Sequence, residues 1–208
     1  MRGALSLAAL AATLLSLSLP SARAEDGDHP IDPARQAAFD TRIFGKPVAA
    51  DNAYACFARR YDTDHLARHP QQKVAAMKLL VSAEKSPDDG AETYSFTLNF
   101  NYRHRKANFD SSGSCRHVVA DDKGGEIQLG CGVDCDGGGI AVALADDDKS
   151  TLVSLERIRI WQKDRPDEET HHELVAGADD KSFRLQRVAL RDCDALMPDR
   201  KTVASTQP

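Results

Sequence analysis

The chain has 208 residues, 41% of them hydrophobic and 28% charged, with a formal net charge of −5. That length suits one domain with a real hydrophobic core. The acidic balance argues against nucleic acid or anionic lipid held through a general basic field.

The first 24 residues read as an address rather than as structure. Arg2 supplies a positive start, Ala4 to Leu19 is an unbroken apolar and small-residue run, and Pro20 ends it. Ala22-Arg23-Ala24 then forms an A-x-A cleavage site ahead of Glu25. The run is shorter than the roughly 20 apolar residues of a spanning helix, and no later segment is long enough either. A mature chain beginning at Glu25, periplasmic or secreted, is therefore expected. Without Arg2 and Arg23 it carries 25 basic against 32 acidic residues, a net charge of −7. Cysteines in such a compartment are expected to pair.

Residues 25–30 read as a solvated tail, 31–73 as a helical or irregular segment, 74–198 as an antiparallel β domain, and 199–208 as a loose tail. A helix starts cleanly with Asp32 as N-cap and Pro33 at its first position, runs through Phe44, and stops at Gly45. Residues 52–69 are ambiguous, with a short helix over Ala53 to Tyr61 as one reading. Thr63 is placed as the cap of one more turn, ended before Pro70 by the geometry proline imposes on His69.

From Val74 the period changes to two. Met77, Leu79 and Val81 alternate with Lys78, Leu80 and Ser82. Then Tyr94, Phe96, Leu98, Phe100 and Tyr102 alternate with Ser95, Thr97, Asn99, Asn101 and Arg103, a half-buried antiparallel pattern. A third strand is expected over about 109–119, a fourth over 126–135, a turn at Asp136 to Gly139 and a fifth over 140–145. The apolar phase then slips after Leu155 to Ile158 and Ile160, which predicts a bulge near Glu156. Lys163 to Asp180 reads as a polar loop, and Phe183 to Leu190 as the last strand. The fold class that follows is mainly β: an antiparallel meander forming a small barrel or curled sheet, with an N-terminal helical segment.

Strand geometry assigns the sulfurs. Cys131 and Cys135 lie about 13 Å apart in a regular strand, beyond the roughly 7 Å that a disulfide spans. They also lack C-x-x-C spacing. Folding the preceding hairpin about Lys123 sets Val119 opposite Ile127, His117 opposite Leu129, and Cys115 opposite Cys131. A Cys115–Cys131 staple follows, with Cys115–Cys135 as the alternative if the register slips by two. Cys56 and Cys193, one near each end of the domain, form the second expected pair. Cys135 is then left as a buried, inert thiol.

Candidate chemistry is sparse. His65 and His69 have the i, i+4 spacing of metal ligands on one helical face, with Asp62 and Asp64 beside them. A solvated turn is the plain alternative. His171-His172 belongs to the polar loop, and His117 points inward as a hydrogen-bonded structural histidine. Asp134-Cys135-Asp136-Gly137 begins like a calcium loop but lacks the third acid and the glutamate. No nucleophile elbow, zincin helix or phosphate loop is present, and no motif selects a constellation such as Asp110, Ser112 and His117. No catalytic residue and no cofactor are expected.

Two functions compete. One is a non-enzymatic binding module. It holds a small apolar ligand against Tyr94, Phe96, Leu98, Phe100 and Tyr102 if the sheet is hollow, or presents its loops to another exported protein. The other is a periplasmic metal-binding protein or metal-dependent hydrolase built on Tyr61 to His69.

Overall fold

The computed structural model describes residues 31–48, 52–120, 124–163 and 172–198. The expected leader, both tails, His171 and the Lys123 turn lie outside these residues.

Helix α1 (Pro33–Phe44) forms as its sequence directs. The Asp32 side chain accepts from Ala34 N at 3.0 Å, and Gly45 closes the helix with a φ of 71°. Nine antiparallel strands follow among the described residues: β1 Ala53–Arg60, β2 Val74–Lys85, β3 Glu92–Tyr102, β4 Asn108–Ala120, β5 Glu126–Gly132, β6 Gly138–Leu144, β7 Ser150–Gln162, β8 His172–Val175 and β9 Ser182–Arg187. A second helix, α2 (Thr63–Arg68), sits between β1 and β2, and a 3-10 helix spans Leu190–Leu196. Each of β1 to β7 pairs with the next, and β9 pairs with both β7 and β1, so the sheet curls into a ring. β8 lies outside that circuit, on the second half of β7.

Several expectations are corrected. Ala53–Arg60 is a strand, not a helix, so the segment before residue 73 contributes a stave to the β domain. Its two faces explain the misreading: Ala55 and Phe57 are buried in the core, while Cys56 is buried against Leu80, Cys193 and Leu196 outside the ring. Apolar residues on both sides erase the two-residue period. Asp62, not Thr63, caps α2 by accepting from His65 N at 2.7 Å. The 163–180 loop contains β8, whose one buried residue is Leu174. The chain leaves the last strand at Arg187 and continues as the 3-10 helix.

The register of β4 and β5 is as the turn predicted, with Val119 opposite Ile127, His117 opposite Leu129 and Cys115 opposite Cys131. The predicted bulge is also present. Ile140 faces Leu155 and Gly138 faces Ile158, which leaves β7 one extra residue across Glu156 and Arg157. Beyond the bulge β7 turns to β8 and to the start of β4. The close approach of β4 to β5 needs glycine: a Cβ on Gly113 would lie 1.9 Å from the Gly132 carbonyl oxygen.

Phe57, Phe96, Phe100, Phe183, Met77, Leu79 and Leu98 fill the interior with almost no exposure. α1 plugs one end of the ring, burying Phe39, Ile43 and Phe44 in the same core. Arg187 fastens its C-terminus by donating to the carbonyls of Ile43 (2.8 Å) and Arg42 (3.1 Å). Disulfides join Cys115 to Cys131 and Cys56 to Cys193. The second ties the 3-10 helix to the outside of β1 and β2.

Candidate functional site

The end of the ring away from α1 gathers the last residues of β1, β3 and β7 and the first of β2, β4 and β8. α2 and the connectors 61–73 and 103–107 lie over it. Buried polar groups hold these connectors. The carboxylate of Asp180, fully buried, accepts from the backbone N–H of Lys73 (2.7 Å) and Val74 (3.3 Å). Gln72, also buried, donates to Val74 O at 2.7 Å and meets His65 Nε2 through its own carbonyl at 2.9 Å. Arg103 donates to the carbonyls of Leu66 (3.2 Å), His69 and Pro70 (3.4 Å each), satisfying the end of α2.

Between these connectors lies a cavity of about 410 Å³, walled by residues 70–73, by Tyr102, His104 and Arg105, and by Ile160, His172 and Glu173. Its floor is aromatic. Tyr102 meets Phe100 and Phe109 edge-on at 5.2 and 5.1 Å, and His172 meets Phe109 edge-on at 6.3 Å. The Arg105 guanidinium lies over the Tyr102 ring, 5.3 Å from its centroid. Burial raises the Tyr102 hydroxyl above its ordinary pKa, opposed by Arg105 and aided by Asp180, so the phenol stays a donor at neutral pH.

The charges here are unevenly committed. Glu173 is paired with Arg157 at 2.8 Å, and Asp180 with two amides. Asp179 accepts from Gln71 N at 3.1 Å and faces His69 Nδ1 at 3.7 Å. Among the described residues, the Lys73 and Arg105 heads have no carboxylate within ion-pair distance. The walls therefore offer positive charge without a paired carboxylate among the described residues.

His65 and His69 stack at 4.4 Å with 27° between their rings, and Tyr61 stacks on His65 at 4.6 Å. Lone pairs of imidazole lie in the ring plane, so flat-stacked rings aim them side by side rather than at one point. With His65 Nε2 also engaged by Gln72, the column buttresses the wall of the cavity. Among the described residues, no three His, Cys, Asp or Glu side chains gather where a metal would need them.

The five-residue face of β3 divides. Tyr94, Phe96, Leu98 and Phe100 are core, and Tyr102 alone reaches the cavity. Cys135 is exposed rather than buried. β5 ends at Gly132, and the turn is made at Cys135 and Asp136, with φ of 55° and 59°, ahead of the expected Asp136 to Gly139. The carbonyls of that turn are taken: Arg157 donates to Asp136 O, and Arg159 to Asp134 O and Cys135 O. Asp110 and Ser112 point outward from β4 and His117 inward, so these three do not converge.

A buried cluster that the sequence did not reveal lies at the plugged end. Asp40 of α1 accepts from Tyr94 OH and meets His117 Nε2, both at 2.8 Å, and the Asp40 and His117 side chains are each 5% exposed. Glu92 lies 2.8 Å from the same phenol. Burial first, then the two carboxylates, push the Tyr94 pKa far above its usual value. Asp40 stands four residues before Phe44, on the core side of α1, and that spacing was the signal available. Enclosed as it is, the cluster anchors the plug.

A broader groove of about 560 Å³ crosses the outer face of β4 to β7, over Gly130, Gly132, Gly139 and Ala141. Missing side chains make this hollow, and few donors face it, so the mouth is the stronger site despite its smaller volume. Compared with known proteins, the chain matches no family model, no curated protein and no solved structure.

Proposed function

We propose that the protein is an exported, disulfide-stapled, non-enzymatic binding module, and that the cavity at the open end of the ring receives its ligand. The observation carrying this reading is a mouth with walls fixed by buried Asp180 and Gln72, where Lys73 and Arg105 have no carboxylate partner among the described residues and lie beside an aromatic floor. Ligand sites commonly combine a concave, partly apolar shape with a few placed polar groups, in volumes of about 300 to 1,000 Å³. The closely filled interior moves the expected ligand from between the strands to this end. Two disulfides and the leader-like first 24 residues support export to an oxidising compartment. No described helix is long and apolar enough to cross a membrane.

Backbone NMR during a small-molecule fragment screen tests the reading. Amides of Lys73, Tyr102, Arg105 and His172 are expected to shift together. Hits that map only to the outer groove, or no hits at all, would withdraw it.

A further inference from the structure

Resting on the mouth as the binding site, we infer that its ligand is a small organic anion carrying a flat ring, such as an aromatic carboxylate. Three features of the cavity select this class. First, it offers flat groups: the Tyr102 ring lines it, and the exposed Arg105 holds its guanidinium over that ring, 5.3 Å from the centroid. A planar ligand gains by stacking on the guanidinium. Second, among the described residues its uncommitted charges are positive. The described carboxylates nearby are held by an arginine, by amides or against His69, while Lys73 and Arg105 have no described carboxylate within ion-pair distance. A ligand carboxylate would meet charge-assisted donors from both, with the protonated Tyr102 hydroxyl and the imidazoles of His104 and His172 beside them. Third, the volume of about 410 Å³ suits a compound of one or two rings and is too small for a folded partner.

The same features disfavour two other ligand types. A purely apolar compound would bury the heads of Lys73 and Arg105 without a counter-charge, which is costly. An inorganic anion would leave the Tyr102 and Ile160 surfaces unused.

Three probes separate these contributions: benzoate, with ring and charge; benzyl alcohol, with the ring alone; and acetate, with the charge alone. Titrated into the oxidised protein and followed through the mouth amides, benzoate is expected to bind at least about tenfold more tightly than either other probe. Lys73→Gln should weaken benzoate about tenfold, the scale of one lost charge-assisted hydrogen bond. Arg105→Lys keeps the charge but removes the flat cation, so it should weaken benzoate more than acetate. Both side chains are exposed, and unchanged amide dispersion verifies that the variants fold.

Equal binding of benzyl alcohol and benzoate would overturn the charge requirement, and equal binding of acetate and benzoate the ring requirement. Wild-type affinity for benzoate in both variants would overturn the assignment of Lys73 and Arg105. If none of the probes moves the mouth amides but other fragments do, the ligand class fails while the mouth survives as the site. If shifts appear only elsewhere, both fail.

Discussion

Replacing Cys56 and Cys193 together by alanine should cost more stability than replacing Cys115 and Cys131, although both pairs staple the same ring. The Cys56–Cys193 bond spans 137 positions of sequence and the Cys115–Cys131 bond 16. In the chain-entropy model the longer loop contributes about 5 kcal/mol and the shorter about 3 kcal/mol, by restricting the unfolded chain. A native-state effect acts in the same direction. Cys193 is fully buried with Leu80 and Leu196, and without its bond the 3-10 helix is held to the barrel by little more than that cluster and the Lys78 to Asp192 hydrogen bond. The sole tryptophan, Trp161 on β7, is half-buried and reports unfolding by fluorescence in urea. The Cys56/Cys193 double variant should lose about 2 kcal/mol more than the Cys115/Cys131 variant. Its m-value should also rise, because the released unfolded chain exposes more surface. A larger loss from the Cys115/Cys131 pair, or an unchanged m-value, would refute the loop-length reasoning.

Two further predictions concern the buried cluster under α1. Asp40→Ala leaves His117 buried without its partner and the Tyr94 hydroxyl with Glu92 as its remaining acceptor, and should cost about 1 to 3 kcal/mol in urea unfolding; a loss below about 0.5 kcal/mol would show that the cluster does not anchor the plug. Alkaline sensitivity should follow from Tyr94, whose folded-state pKa is raised, as are those of Tyr61 and Tyr102. Below about pH 10 the phenols are protonated in both states and stability is fully present. Above it the unfolded tyrosines ionise first, so stability falls as pH rises. Tyr94→Phe should flatten that fall, and a pH profile identical to wild type between pH 10 and 12 would count against it.

The sheet was legible in the sequence wherever one face is core and the other water. The alternation of β3, the β4–β5 register, the first disulfide and the bulge in β7 all follow from a period of two and its one slip. β1 was not, because Cys56 is buried outside the ring while Phe57 is buried within it. β8 was missed because a four-residue strand with one buried side chain carries no period. The mouth was the least legible part. Its walls come from four segments far apart in sequence, residues 70–73, 102–105, 160 and 172–173, and only curling of the sheet brings them together. His65 and His69 stand out by spacing, and in the fold their rings stack flat on one another. Tyr102 belongs to the face expected to hold a ligand, but nothing local distinguishes it from Phe100, which is core.

The circuit of strands closes through β9, the last strand among the described residues, and this orders events as the chain emerges into its compartment. As the polypeptide emerges from its N-terminus, the free edge of β1 has to wait until residues 182–187 arrive. For most of that interval it is an open template to which foreign strands can add. The β4–β5 sulfur link can form as soon as its hairpin exists, whereas the link to Cys193 is unavailable until the last stave is delivered. Truncation just before residue 182 would therefore leave a chain with nearly all its strands and no way to seal them, a species for chaperones and proteases rather than a smaller working protein.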